Sequence, residues 1–221
     1  MAETRESLKQ ISRHEPNGEI DRQGGRGPSS RHALQPGDAL IVVDVQIDFC
    51  PGGALPIEHG DEVVPVLNRW IAAAVDARVA VYASRDWHPA GHLSFAESGG
   101  PWPPHCLQDS EGARFHPDLK LPGSVIIVTK GVRFDRDQYS AFDETGLAAE
   151  LRKSGVSRVC VGGLAQDVCV RATVLDARRH GFETTVIADG TRPVTPAGRH
   201  TANEEMRQAG ARFEMTDDGQ S

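Results

Sequence analysis

The stretch VCVGGLAQDVCVRATVLDARRHG, residues 159–181, changes its periodicity part-way along. Its first residues, with SR ahead of them, make a short apolar run rich in β-branched side chains, as expected for a strand covered on both faces. The run breaks at Gly162-Gly163 and resumes as an amphipathic pattern that stops at Gly181, a residue suited to the position just past a helix. The segment therefore reads as one strand–turn–helix unit. Cys160 lies inside its strand and Cys169 near the start of its helix.

Similar runs occur on both sides. ALIVVDV (39–45), RVAVYAS (78–84), SVIIVT (124–129), SRVCV (157–161) and ETTVIA (183–188) read as strands, with ARFEM (211–215) a weaker one. Helical patterns lie between most of them, over 61–77, 143–154, 167–180 and 196–208, with Gly155, Gly181 and Gly210 just past three of the ends. Alternation of this kind predicts an α/β fold: three layers, α/β/α, around a mostly parallel sheet of about six strands. The exception is residues 86–121, rich in Pro, Gly, His and Trp, which reads as a long loop, and long ordered loops are usually functional.

The 221 residues suit a single sizeable domain, placed at 37–216. Residues 1–36 are polar and almost without apolar periodicity, which predicts a flexible extension, and 217–221 a disordered tail. A net charge of −7 argues against an electrostatic nucleic-acid binder. No apolar run approaches the ~18 residues of a membrane span, and MAETRESLKQ lacks the apolar core of a secretory signal. The four cysteines, Cys50, Cys106, Cys160 and Cys169, show no C-x-x-C spacing, so reduced thiols in a cytoplasmic protein are expected.

In open α/β sheets ligands bind beyond the carboxyl ends of the strands. The first strand ends at or near Asp44, the second is followed by Asp86 and His88, the third by Lys130, and the fourth by Cys169. Taken alone, Cys169 is more often a small core residue than a nucleophile. A first-turn position, with Asp167 as the N-cap, would instead lower its pKa through the helix dipole. Asp44, flanked by IVV and VQI, is a carboxylate in an apolar setting that needs a partner, which Lys130 at a neighbouring strand end can supply. Asp86, His88, His92 and His105 offer oxygen and nitrogen donors; by spacing alone a metal site and a pair of exposed loop histidines stand equally open.

The sequence resembles the nicotinamidases of the isochorismatase-like cysteine hydrolases. The resemblance rests on DVQIDF (44–49), SRDWHPAGHLSF (84–95), GGPWPPHC (99–106), TKG (129–131) and GGLAQDVCV (162–170), and runs from about residue 39 to 213. It implies a catalytic triad of Asp44, Lys130 and Cys169, and metal ligands Asp86, His88 and His105 with His92 as a further ligand or a neighbour of the ligands. It also implies a cis peptide between Leu164 and Ala165, an oxyanion hole from the Ala165 and Cys169 N–H groups, and a substrate pocket including Phe49, Trp102, Tyr139 and Leu164. Gln166 departs from the family, which often has Thr there, and the pocket rim near 133–138 varies.

The implied activity is hydrolysis of nicotinamide, and of pyrazinamide, to the acid and ammonia through a thioester, in NAD salvage. One divalent metal ion is expected, zinc first, with iron or manganese suited to the same donors. The expected partner is a pyridine carboxamide, with no nucleic acid and no membrane, and a homo-oligomer is allowed. Two alternatives stand beside this. One is another hydrolase of the family, a carbamoyl amidase or isochorismatase; the other is a catalytically silent metal- or pyridine-binding module, which would be expected to have lost one of the three triad residues.

Overall fold

The computed structural model describes residues 34–216; apart from residues 34–36, the expected extension and the tail at 217–221 lie outside them. Six strands, β1 (Asp38–Val43), β2 (Ala80–Asp86), β3 (Ile126–Lys130), β4 (Arg158–Leu164), β5 (Glu183–Arg192) and β6 (Arg212–Glu214), form one sheet in the order β3-β2-β1-β4-β5-β6. Every neighbouring pair is parallel. Helix α1 (Val63–Asp76) joins β1 to β2, α2 (Leu147–Lys153) joins β3 to β4, α3 (Arg171–Arg179) joins β4 to β5, and α4 (Pro196–Gln208) joins β5 to β6. Between β2 and β3 the chain crosses through residues 87–125 without an α-helix.

Strand β1 shows why the sheet needs a layer on each side. All six of its residues are buried, and successive side chains point to opposite faces. Leu40 and Val42 pack with Leu67 and Ile71 of α1; Ala39, Ile41 and Val43 pack with Leu151 of α2, Val174 of α3 and Met206 of α4. Truncating a fully buried side chain such as Leu67 or Met206 to Ala costs about 2–5 kcal/mol, the transfer loss plus the cavity. The first cluster also takes in Leu34, ahead of the expected domain boundary.

Three local expectations change. The helix expected over 143–154 forms only at Leu147–Lys153. Glu144 and Gly146 have φ of 56° and 80°, and Asp143 is tied back to Arg136 through its carboxylate and to Gln138 through its carbonyl. Strand β5 runs past 188 to Arg192, because a register shift between Val161 and Gly163 of β4 absorbs the irregularity opposite it. Asp167 does not cap its own helix: its carboxylate accepts the backbone N–H groups of Val194 and Thr195. The chain begins that helix as a π-helical turn at Gln166–Val170 before α3.

From β1 the chain moves to β2 and then β3 on one side; β4, β5 and β6 extend the sheet on the other. The direction reverses between β1 and β4, and the crevice beyond their carboxyl ends is where such sheets hold ligands.

Candidate active site

At this reversal β4 must come very close to β1. A Cβ on Gly163, which has a φ of 131°, would lie 2.0 Å from the Val43 carbonyl oxygen, so only glycine fits. Just past β1, Asp44 takes a φ of 48°, uncommon for a residue with a side chain. Its Oδ1 accepts the Ser84 hydroxyl at 2.7 Å, and its Oδ2 lies 2.7 Å from the Lys130 ammonium. Lys130, the last residue of β3, is fully buried, and its Nζ also reaches Asp86 Oδ1 at 2.5 Å, the Gln138 carbonyl at 3.4 Å and Cys169 Sγ at 3.5 Å. Three strand ends and the π-helical turn thus bring Asp44, Asp86, Lys130 and Cys169 together around one ammonium.

Electrostatics assign these groups different states. Burial pushes the Asp44 carboxyl up, with Lys130 pulling the other way and Asp86 adding to the rise. For Asp86 burial also opposes charge, but Lys130 and then His88 hold its carboxyl well below the usual carboxylate range. Burial works against the Lys130 charge too, yet Asp44, Asp86 and Cys169 keep it firmly protonated. Cys169 corrects the expectation of a depressed thiol. Burial raises its pKa well above the ordinary value; Lys130 pulls it down, and Asp44 and Asp86 add to the rise. The raised pKa makes the resting group a thiol, whose sulfur lies 3.5 Å from the Lys130 ammonium. Cys160, inside β4, is raised to about 12 by burial and is chemically quiet.

Asp86, His88 and His105 place one donor atom each within 4.8 Å of one another, all buried. His88 Nδ1 bonds the Gly131 carbonyl at 2.9 Å and His105 Nδ1 the Pro103 carbonyl at 2.8 Å. Carbonyl partners make each Nδ1 the N–H nitrogen, which leaves Nε2 with a lone pair to give. This set fits a divalent ion. His92 lies outside this set and groups instead with His88 and Asp137; its Nδ1 bonds Ser94 Oγ at 2.7 Å and its Nε2 the Arg133 carbonyl at 2.8 Å. It stands beside the set, its ring centroid 4.4 Å from that of His88. Gly131 is required here, because a Cβ would lie 2.6 Å from His88 Cε1.

A small cavity, partly open to solvent, lies above these groups; Phe49, Trp102, Tyr139, His88, His105 and Cys169 are on its wall. Trp102 Nε1 donates to the Tyr139 hydroxyl at 3.1 Å, which joins two of the aromatic walls. Leu164 corrects another expectation. It is wholly buried in the core on the α1 side and is not part of the wall, which its neighbour Ala165 does join. The peptide between Leu164 and Ala165 is cis.

Some residues were missed by sequence reasoning. Gln46 is fully buried and clamps the Asp86 backbone, donating to its carbonyl and accepting its N–H, each at 2.8 Å, while donating again to the Ala113 carbonyl. Its signal was a polar amide inside DVQIDF. Asp48 accepts the Cys106 N–H at 2.7 Å, next to His105. Asp137, on the cavity wall, fell in the rim that sequence patterns left uncertain.

The isochorismatase domain profile matches residues 38–218. The chain belongs to the isochorismatase family. Within that family it is 41% identical over 199 residues to the nicotinamidase of Escherichia coli K12, covering 80% of this chain and 93% of that one. It is 40% identical over 179 residues to the nicotinamidase/pyrazinamidase of Mycobacterium tuberculosis, covering 77% and 95%. The pyrazinamidase of Pyrococcus horikoshii, solved in complex with zinc, superposes with a TM-score of 0.79 at 44% identity, over 82% of this chain and 100% of that one. The matched residues 38–218 take in all six parallel strands.

Proposed function

We propose that this protein hydrolyses nicotinamide to nicotinate and ammonia through a thioester on Cys169. One observation carries the reading: a thiol, a raised carboxyl and a buried ammonium meet at an aromatic-walled cavity that also presents a metal-ligand set. The nicotinamidase relatives support the choice of substrate, and pyrazinamide fits the same ring pocket.

In the first half-reaction Asp44 accepts the Cys169 proton as sulfur attacks the carboxamide carbon. The raised pKa of Asp44 suits a base that must soon return its proton. Lys130 stays charged and holds Asp44 in place at 2.7 Å. The Ala165 and Cys169 N–H groups are assigned to the developing oxyanion; losing one such donor costs about 100- to 1000-fold in comparable sites. Asp44 then protonates the departing nitrogen and ammonia leaves. Water attacks the thioester, Asp44 takes one of its protons and returns it to sulfur as the C–S bond breaks, and nicotinic acid departs and ionises to nicotinate in solvent.

Asp86, His88 and His105 would hold one divalent ion, zinc by preference, with iron or manganese compatible with the same donors. When bound, the ion supplies a Lewis-acid point for the ring nitrogen, which orients the ring. Phe49 and Trp102 enclose the ring from the sides, and Tyr139 fixes the Trp102 indole. We place the catalytic unit at residues 37–216. Among the described residues no helix is long and apolar enough to cross a membrane, and all four cysteines are free thiols, which supports a cytoplasmic setting.

Ammonia release from nicotinamide, pyrazinamide and an aliphatic amide tests the reading. Turnover of both ring amides, with the aliphatic amide far slower, is expected. Equal or faster turnover of the aliphatic amide or of a ureido acid would favour the carbamoyl-amidase alternative.

A further inference from the structure

Three carboxylates surround the reacting region, and two of them, Asp44 and Asp86, share the Lys130 ammonium. The third is Asp137. It is half-buried on the cavity wall with Cys169 and Tyr139, and one of its oxygens lies within 4.8 Å of donor nitrogens of His88 and His92. A backbone N–H, rather than a lysine or arginine, holds it there. The Gln138 N–H donates to its Oδ1 at 2.9 Å, and Asp137 shares the cavity wall with Tyr139, whose hydroxyl accepts from Trp102. The arginines on either side are engaged elsewhere, Arg133 with Asp135 and Glu144, Arg136 with Asp143 and Glu144. Among the described residues no Lys or Arg ion pair engages Asp137.

The reaction changes the charge of what the cavity contains. The substrate amide is neutral, whereas the product acid is an anion at neutral pH, its carboxyl lying far below that range. A carboxylate on a partly closed wall acts through less screening water than one on an open surface, so it weakens binding of an anion while leaving a neutral ring nearly unaffected. We propose, resting on the nicotinamidase reading, that Asp137 is a specificity-determining residue that makes the cavity prefer neutral carboxamides to their carboxylate products and so speeds product departure.

Calorimetric binding of nicotinate and of pyridine-3-methanol, which keeps the ring but is neutral and not electrophilic, provides the test. Wild type, Asp137→Asn and Asp137→Glu are compared at pH 7.5, with metal content measured on each. The preference for nicotinate over pyridine-3-methanol should rise about tenfold in Asp137→Asn, a size expected for one partly screened charge. Asp137→Glu, which keeps the charge, should stay near wild type. An unchanged ratio in Asp137→Asn, or equal shifts for both ligands, would overturn the proposal by showing that the residue shapes the wall without reading charge. Loss of stoichiometric metal in Asp137→Asn would also overturn it, assigning the carboxylate to the ion. The nicotinamidase reading fails on a different measurement, the absence of ammonia release by the wild type, so the two failures are distinguishable.

Discussion

Replacing Lys130 with Met tests the electrostatic centre of the site most directly. The substitution keeps the length and apolar stem but removes an ammonium lying 2.7 Å from Asp44 and 2.5 Å from Asp86, all of them buried. Breaking one buried ion pair costs about 3–5 kcal/mol, because the remaining charge is left without compensation. Here two carboxylates are stranded and also repel each other, so the upper end of that range is expected at pH 7. Set against the ~5–15 kcal/mol that stabilises a typical domain, this is a large fraction. The double variant Lys130→Met/Asp44→Asn, which strands only one carboxylate, should recover at least ~1 kcal/mol of the loss.

The loss should depend on pH. Asp44 is already raised, chiefly by burial, and Lys130 is the strongest influence lowering it. Without the lysine its folded-state pKa rises further above the unfolded value near ~4. Such a carboxyl stabilises the folded state fully below its unfolded pKa and loses that contribution as pH rises through the folded pKa. In the wild type Asp86 is held low, so its contribution is present above the unfolded pKa and is lost only in strong acid. The gap between variant and wild type should therefore narrow from pH 7 to pH 5. Urea denaturation of chelator-treated protein at both pH values measures it. A loss below ~1 kcal/mol at pH 7, or a gap that widens on acidification, would refute the charge assignment.

Cys169→Ala should abolish ammonia release while preserving the fold, whereas Cys160→Ala should cost ~1 kcal/mol or more by denaturation and leave turnover largely intact. Because the Cys169 thiol is raised, iodoacetamide labelling of the free enzyme, followed by peptide mapping, should accelerate steadily with pH above neutrality; a plateau already reached at pH 6 would mean a resting thiolate. Asp44→Asn should lower kcat by two orders of magnitude or more, and the loss should not add to that of Lys130→Met if the two serve one proton transfer. Chelation should raise the KM for nicotinamide more than it slows Cys169 alkylation, and benzamide, which lacks the ring nitrogen, should be a poor substrate with or without metal.

The sheet was legible because its strands are buried on both faces, and continuous β-branched runs such as ALIVVDV carry that fact in local sequence. Asp44 and Lys130 stood out for a related reason: they interrupt or follow apolar runs, where a charge is anomalous, whereas the histidines of the long loop were assigned by resemblance alone. What local sequence hid depends on distant partners. Asp167 looks like a helix cap until its carboxylate is found on Val194 and Thr195. The late start of α2 follows from ties running from Arg133, Arg136 and Gln138 to the residues just before it. Leu164 sits in a motif associated with a pocket, but its side chain packs toward α1. The state of Cys169 was least legible, because its pKa is set first by burial and then by Lys130, Asp44 and Asp86, which arrive from three other strand ends.

That last point constrains the chemistry. With Asp44 and Asp86 ionised and Lys130 protonated, the buried cluster carries one net negative charge. Releasing the Cys169 proton to solvent would leave two, in a setting where burial already disfavours each anion. Moving the same proton to Asp44 leaves the total at one and merely transfers the charge from oxygen to sulfur, beside an ammonium that contacts both groups. Burial raises both the thiol and the carboxyl, and the Asp44 charge adds to the rise at Cys169, so the two titrations are linked. Activation of Cys169 is therefore an internal transfer. The Lys130 ammonium makes the ion pair possible, and Asp44 keeps the proton within reach of the nitrogen that must leave.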